Sequence, residues 1–262
     1  MPKIDKSLVI LDKVATGGSS GIVKIDPRAL ILVTVVYLCI MLGVKPTHVD
    51  VLLWYAVYPI VCAPILGLTY TSVFLQSLVI LPLVLLIGMF NPIVDKTPVA
   101  TIGDISITNG WLLFAGVIIR GLLSMQALLL LIISIGFVGI IRGLRRLGLP
   151  KFLTVQLLMV FRYIRVLIEE GLTMKRARQA RSYGQKKLNI RLWGVLIGQL
   201  FLRSVARAER VHKAMLARGF AGDMHLNYNR GTVWAWSSTF FVVLWVFVFL
   251  FLRIFNLSLL FV

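Results

Sequence analysis

Acidic side chains are scarce in this chain: ten Asp and Glu stand against 28 Lys and Arg, leaving a formal charge of +18 over 262 residues. Charge of either sign is also scarce, at 15%, whereas 59% of residues are hydrophobic and the mean hydropathy is +0.92. Such a composition excludes an ordinary water-soluble domain and marks an integral membrane protein. Cysteine is limited to Cys39 and Cys62, neither with ligand or redox spacing, and both read as small apolar packing residues. Histidine is limited to His48, His212 and His225, which are scattered along the chain, and no carboxylate pair or nucleophile with a nearby base stands out. The sequence therefore predicts no catalytic residue, no metal ligand set and no cofactor bound by this chain. The small-residue patch Thr16-Gly17-Gly18-Ser19-Ser20-Gly21 lies close to Lys24, but a phosphate cradle needs Gly-x-x-x-x-Gly-Lys-Ser/Thr between a strand and a helix, so ATP binding here is excluded.

Apolar length is what the chain has in quantity. Runs over 29–44, 49–68, 72–90, 121–141 and 233–252 approach or reach the roughly 20 residues a helix needs to cross the hydrocarbon core. They are apolar all round rather than alternating, which excludes a membrane barrel and predicts an all-α polytopic membrane protein of about five transmembrane helices. The stretch 110–141 contains Arg120 and is read as one span in preference to a span preceded by an interfacial helix. Pro59, Pro64 and Pro82 are read as bends that membrane helices tolerate.

Cation placement predicts orientation. Five of the 28 precede the first run, 19 fall within 142–230, and the expected outer loops hold only Lys45 and Lys96. The expected division is a cytoplasmic amino-terminal arm 1–28, transmembrane helices 1 to 4 over 29–141, a cytoplasmic region 142–230, and a last transmembrane helix in 231–262 with its end outside. The region 142–230 also holds Glu169, Glu170, Glu209 and Asp223, so it carries about fifteen of the net positive charges and calls for an acidic partner.

That region has a pattern of its own. After the turn Gly148-Leu149-Pro150, apolar residues from Phe152 to Ile168 recur every three or four positions while cations collect on the other side, and Leu192 to Met215 repeats the design. These segments predict two long amphipathic helices. Each closes at a short tip, Ala180-Arg181-Ser182 followed by Gly184, and Ala217-Arg218-Gly219, because glycine accepts the left-handed turn that ends a helix. An arginine at a helix end can simply complement the macrodipole, worth about 0.3 to 1 kcal/mol. Two tips of the same Ala-Arg-small form favour a docking role, in which the guanidinium fork binds carboxylates or carbonyls inside a narrow groove.

With these residues in view the chain resembles the transmembrane coupling subunit of energy-coupling factor transporters, the EcfT family, and within it the CbiQ branch of cobalt and nickel uptake systems. The likeness covers nearly the whole chain: Asp26-Pro27-Arg28 before the first run, Gly148-Leu149-Pro150, Arg162-Tyr163, Ala180-Arg181-Ser182, and the block from Ala214 to Gly222. It implies that Ala180, Arg181, Ser182, Ala217, Arg218 and Gly219 couple to two cytoplasmic ABC ATPase subunits, as a homodimer or heterodimer. ATP and magnesium are then held by those subunits. It also implies a membrane-embedded substrate-binding subunit (an S or CbiM-like component), a bacterial cytoplasmic (inner) membrane setting, and cobalt, nickel or a vitamin as cargo. Two other classes compete. A membrane-anchored protein whose polybasic segment grips anionic lipid predicts no special role for Arg181 or Arg218 over Lys186 and Lys187. A stand-alone secondary transporter needs discontinuous helices around a polar midplane site. Nucleic acid is not an expected partner, since the basic stretches carry no reading motif or stacking platform.

Overall fold

The structure is a computed structural model that describes residues 26–95, 97–102, 105–181, 190–220, 222 and 236–259. Met1–Leu147 with Arg230–Val262 form one compact unit, and Gly148–Asn229 a second.

The first unit is a bundle of apolar helices. Helix α1, Pro27–Leu42, starts where Asp26 accepts the backbone N–H of Arg28 at 3.0 Å, with Pro27 in the first turn, where its missing N–H costs nothing. The second apolar run folds as two short helices, α2 Val49–Trp54 and α3 Val57–Ile65. The third comprises α4 Tyr70–Ser77, a 3-10 turn Leu78–Ile80, α5 Leu81–Gly88 and α6 Asn91–Val94. Pro82 explains the irregular turn, because it has no N–H to give the carbonyl four residues before it. Helix α7, Asn109–Arg146, follows, and α10, Trp236–Leu259, closes the unit.

Among the described residues, three stretches are long and apolar enough to cross a membrane: Tyr70–Ile93, Asn109–Arg146 and Trp236–Ile254. Pro27–Leu42 and Val49–Ile65 are apolar but shorter, at about 1.5 Å per residue only some 24 to 26 Å. All five apolar runs are thus helical, and the fold is an all-α polytopic membrane protein with two sub-length helices. The stretch 110–141, expected as one span, lies within one span-length stretch but consists of two helical segments that meet at a kink. It extends to Arg146 and is interrupted at Gly136, whose φ of 66° and ψ of 169° fall outside helical values.

One element departs from the helical expectation. Pro98–Ile102 (β1) and Ile105–Thr108 (β2) pair antiparallel, with Thr101 opposite Ser106 and Ile102 opposite Ile105. The base of this hairpin is tied to α7: the Asp95 carboxylate accepts from Thr97 Oγ1 and Asn109 Nδ2, both at 2.6 Å.

Aromatic packing joins the first, second and last helical stretches. Tyr37 stacks on Tyr58 at 4.5 Å between centroids, Tyr58 meets Trp245 edge-on at 4.9 Å, and Phe249 lies 5.3 Å from Tyr37. Offset and edge-on pairs of this kind add about 0.5 to 1.5 kcal/mol beyond their burial. Three buried hydroxyls are used too, Thr34 and Tyr58 sharing a hydrogen bond at 3.2 Å and Tyr37 donating to the Tyr55 carbonyl at 3.2 Å.

Helix ends sort onto two faces. On one, Asp26 is buried and receives Arg146 Nη1 at 3.3 Å, while its backbone N–H donates to buried Ser238 Oγ at 3.0 Å. The start of α1, the end of α7 and the start of α10 therefore meet. On the other, Arg120 of α7 donates to the Val44 carbonyl just past α1. Gly116 sits so close to Pro46 that a Cβ would overlap its carbonyl oxygen. The one cation inside the long apolar stretch thereby spends its charge on a helix carboxyl end.

The second unit contains α8, Lys151–Arg181, and α9, Ile190–Ala217. Gly148, at a φ of 112°, opens it, and Thr154 donates both its N–H and its hydroxyl to the Pro150 carbonyl at 3.2 Å.

Candidate functional site

The Ala217-Arg218-Gly219 tip is a helix stop built by backbone geometry. Gly219 has a φ of 77°, its N–H donates to the Leu216 carbonyl at 2.9 Å, and the Phe220 N–H donates to the Met215 carbonyl at 3.0 Å. This pair of bonds is a Schellman closure, and it needs a left-handed residue at the glycine. Arg218 is thereby the capping position, with its side chain exposed to solvent.

The first tip is placed differently. Arg181 is the last residue of α8 and is exposed, as is Ala180. Ser182 and Gly184 lie outside the described residues, as do Lys186 and Lys187 of the competing reading. Arg181 stands at one end of a groove of about 320 Å³ between the two helices. Its floor includes Met174, Ala177, Leu192, Val195 and Leu196, and its cationic rim Arg178, Arg181 and Arg203.

The two helices run antiparallel, since 173–181 faces 192–203, and they are fastened by charge. Glu170 takes Arg203 Nη1 at 2.8 Å on one carboxylate oxygen and Arg207 Nη2 at 2.9 Å on the other. Arg203 and Arg207 are one turn apart on α9, so both reach the same carboxylate. Hydrogen bonding from Arg203 comes first in holding the Glu170 carboxyl below the usual glutamate range, with the nearby Arg207 charge adding to it. Next to it, Leu200 packs by Gly171, where a Cβ would stand at an ordinary 3.6 Å from Leu200 Cδ2. The sequence names all of these charged residues but not this triad, because partners 33 and 37 positions apart leave no short-range signal. Likewise, Asp26-Pro27-Arg28 is visible as a motif, whereas Arg146 and Ser238 as its partners are not.

Glu170 is about a quarter exposed, and Arg203 and Arg207 more so, at 60% and 41%. Such pairs are screened by salt and water and set geometry more than stability. Among the described residues, no group of three or more His, Cys, Asp or Glu could hold a metal ion.

A bundle of apolar helices, and in the same chain a cationic antiparallel helix pair with arginine ends, define a multi-pass membrane protein with a distinct amphipathic helical unit. The chain belongs to the cobalt transport protein family, CbiQ, whose family model matches residues 18–228. It is similar to the cobalt transport protein CbiQ of Salmonella typhimurium, at 28% identity over 153 residues, which is 54% of this chain and 68% of that protein. It is also similar to the nickel permease LarQ of Lactiplantibacillus plantarum, at 33% identity over 98 residues. That match spans 37% of this chain and only 36% of the permease. Family membership makes this chain a membrane component of a transport system that works with partners.

Proposed function

We propose that this chain is the transmembrane coupling component of an energy-coupling-factor type ABC importer for cobalt or nickel. In this reading the face holding Asp26, Arg146 and Ser238 is the cytoplasmic one, in the inner membrane of a bacterium, in keeping with the cation bias of the sequence. Arg181 and Arg218 enter grooves on two ABC ATPase subunits. When ATP closes that pair the tips move with their grooves, and α8 and α9 pass the displacement to a substrate-binding subunit in the membrane. ATP and magnesium are held by the ATPases, and this chain makes and breaks no bonds.

The observation that carries the proposal is the presentation of two exposed arginines at the carboxyl ends of two helices clasped by one carboxylate. A lever shifts an equilibrium only by the difference between its contacts in the two states. A charge-assisted, partly buried arginine contact supplies about 1.5 to 3 kcal/mol, so two tips suffice for substantial coupling. The names of the two relatives support a divalent transition metal as cargo.

The test is uptake of radioactive cobalt or nickel, with co-purification of the ATPases, for Arg181→Ala, Arg218→Ala and the double variant. Membrane insertion is expected to persist, each single variant to weaken ATPase recovery and uptake, and the double variant to abolish both. Arg181→Lys should be partly defective, since an ammonium cannot reproduce the guanidinium fork. Wild-type uptake and recovery in the double variant overturn the proposal. Equal sensitivity to Lys186→Ala with Lys187→Ala would instead indicate diffuse attraction to anionic lipid.

A further inference from the structure

We infer that Glu170 is a positioning residue: it forms the pivot that sets the separation of the two arginine tips. The inference rests on the coupling role proposed above for those tips. Three observations carry it. First, the Glu170 carboxylate spans the interface between α8 and α9, one oxygen to Arg203 at 2.8 Å and the other to Arg207 at 2.9 Å. Two bonds from donors one turn apart favour one separation of the helices and one rotation of one about the other, which a single ion pair does less well. Second, Leu200 of α9 lies beside this triad, where a Cβ built at Gly171 would meet its Cδ2 at 3.6 Å, an ordinary van der Waals distance, so apolar packing accompanies the clasp.

Third, the arms are comparable. Arg181 is eleven residues beyond Glu170 on α8, and Arg218 is eleven residues beyond Arg207 and fifteen beyond Arg203 on α9. At about 1.5 Å per residue the first arm is about 16 Å long and the second about 16 to 22 Å, and because the helices are antiparallel the arms leave the pivot in opposite directions. A change of crossing angle at Glu170 therefore displaces both tips. Between the pivot and the Arg181 tip the helices leave the groove of about 320 Å³ rather than a packed seam. That arm is thus held at the clasp more than along its length. The exposure of the arginines suits this role, since a clasp worth little in stability specifies an angle without freezing it.

The geometric part can be tested in the full chain alone, in lipid nanodiscs. Nitroxide labels at Ala180→Cys and Leu216→Cys, in a background of Cys39→Ser and Cys62→Ala, report the tip separation by pulsed electron resonance. Glu170→Gln preserves shape and removes the charge; the expected result is a broadened or shifted distance distribution. Reversing the charges, Glu170→Arg with Arg203→Glu and Arg207→Glu, should restore the narrow distribution, which a purely local packing role would not do. In the assembled importer, Glu170→Gln should leave ATPase recovery near wild type. Metal uptake per ATP hydrolysed should fall by about fivefold or more, the low end of typical coupling between sites.

An unchanged distance distribution in Glu170→Gln, no recovery on charge reversal, or undiminished uptake per ATP would each overturn the inference. Failure of the coupling reading shows itself separately, as an Arg181→Ala, Arg218→Ala double variant that keeps its ATPases. The distance measurement still decides the geometry in that case.

Discussion

At Arg218 the simplest explanation for a terminal arginine is weakened by its neighbours. The Met215 and Leu216 carbonyls already receive the Phe220 and Gly219 amides, so the guanidinium is not needed to close the helix and retains only the modest dipole term, about 0.3 to 1 kcal/mol. Gly219 is where local stability concentrates. A side chain at its φ of 77° meets the left-handed penalty of about 1 to 2 kcal/mol. Gly219→Ala should therefore fray the last turn, read as faster hydrogen exchange of the 215–220 amides, while Arg218→Ala leaves those amides protected. The glycine signal was legible in the sequence because a helix stop is a local event. The partners of Glu170 were not, since spacing along a helix gives the face a charge occupies and says nothing of which residue on another helix it meets.

Among the elements, the helix pair carries the clearest dependence on pH. Hydrogen bonds from Arg203, reinforced by Arg207, keep the folded Glu170 carboxyl below its unfolded value of about 4.3. A lowered carboxyl contributes stability that is present above the unfolded value and lost as pH falls through the folded one. The α8–α9 contact should therefore hold unchanged from neutrality down past about pH 4.3 and loosen only in stronger acid. Tip separation measured across an acid titration checks this, and loosening between pH 7 and 5 would contradict it. Helix α7 offers a steric counterpart: Gly116→Ala drives a methyl into the Pro46 carbonyl and is expected to cost about 1 to 3 kcal/mol, read as a lower thermal midpoint in detergent. The apolar runs made the helices legible, but their ends were less so. The second run is broken near Tyr55, and its last residues Leu66 to Leu68 fall outside any helix. The hairpin was missed because it lies in a connection between apolar runs that was read as uninformative, although β-branched residues flank Gly103-Asp104 in the sequence. That pattern is a hairpin signal.

For the molecule as a whole, cation counting assigned the ends of the spans to sides, and the structure groups the start of α1, the end of α7 and the start of α10 around Asp26. Asp26→Asn keeps an oxygen for the Arg28 amide and removes the charge facing Arg146. We expect a loss of about 1 to 3 kcal/mol, with the Asp26→Asn, Arg146→Gln double variant less damaged than the sum of the singles. Chemical unfolding in mixed micelles measures both. The same cluster constrains biogenesis. Asp26 and Ser238 are 212 residues apart, and at about 5 to 20 residues per second the ribosome needs roughly 10 to 40 s to travel between them. The opening helix must therefore enter lipid with its threshold unfastened and wait for the final one to arrive. Maturation of this protein is consequently a matter of timing, in which slowing translation late in the message lengthens the interval when the nascent chain is open to quality-control proteases.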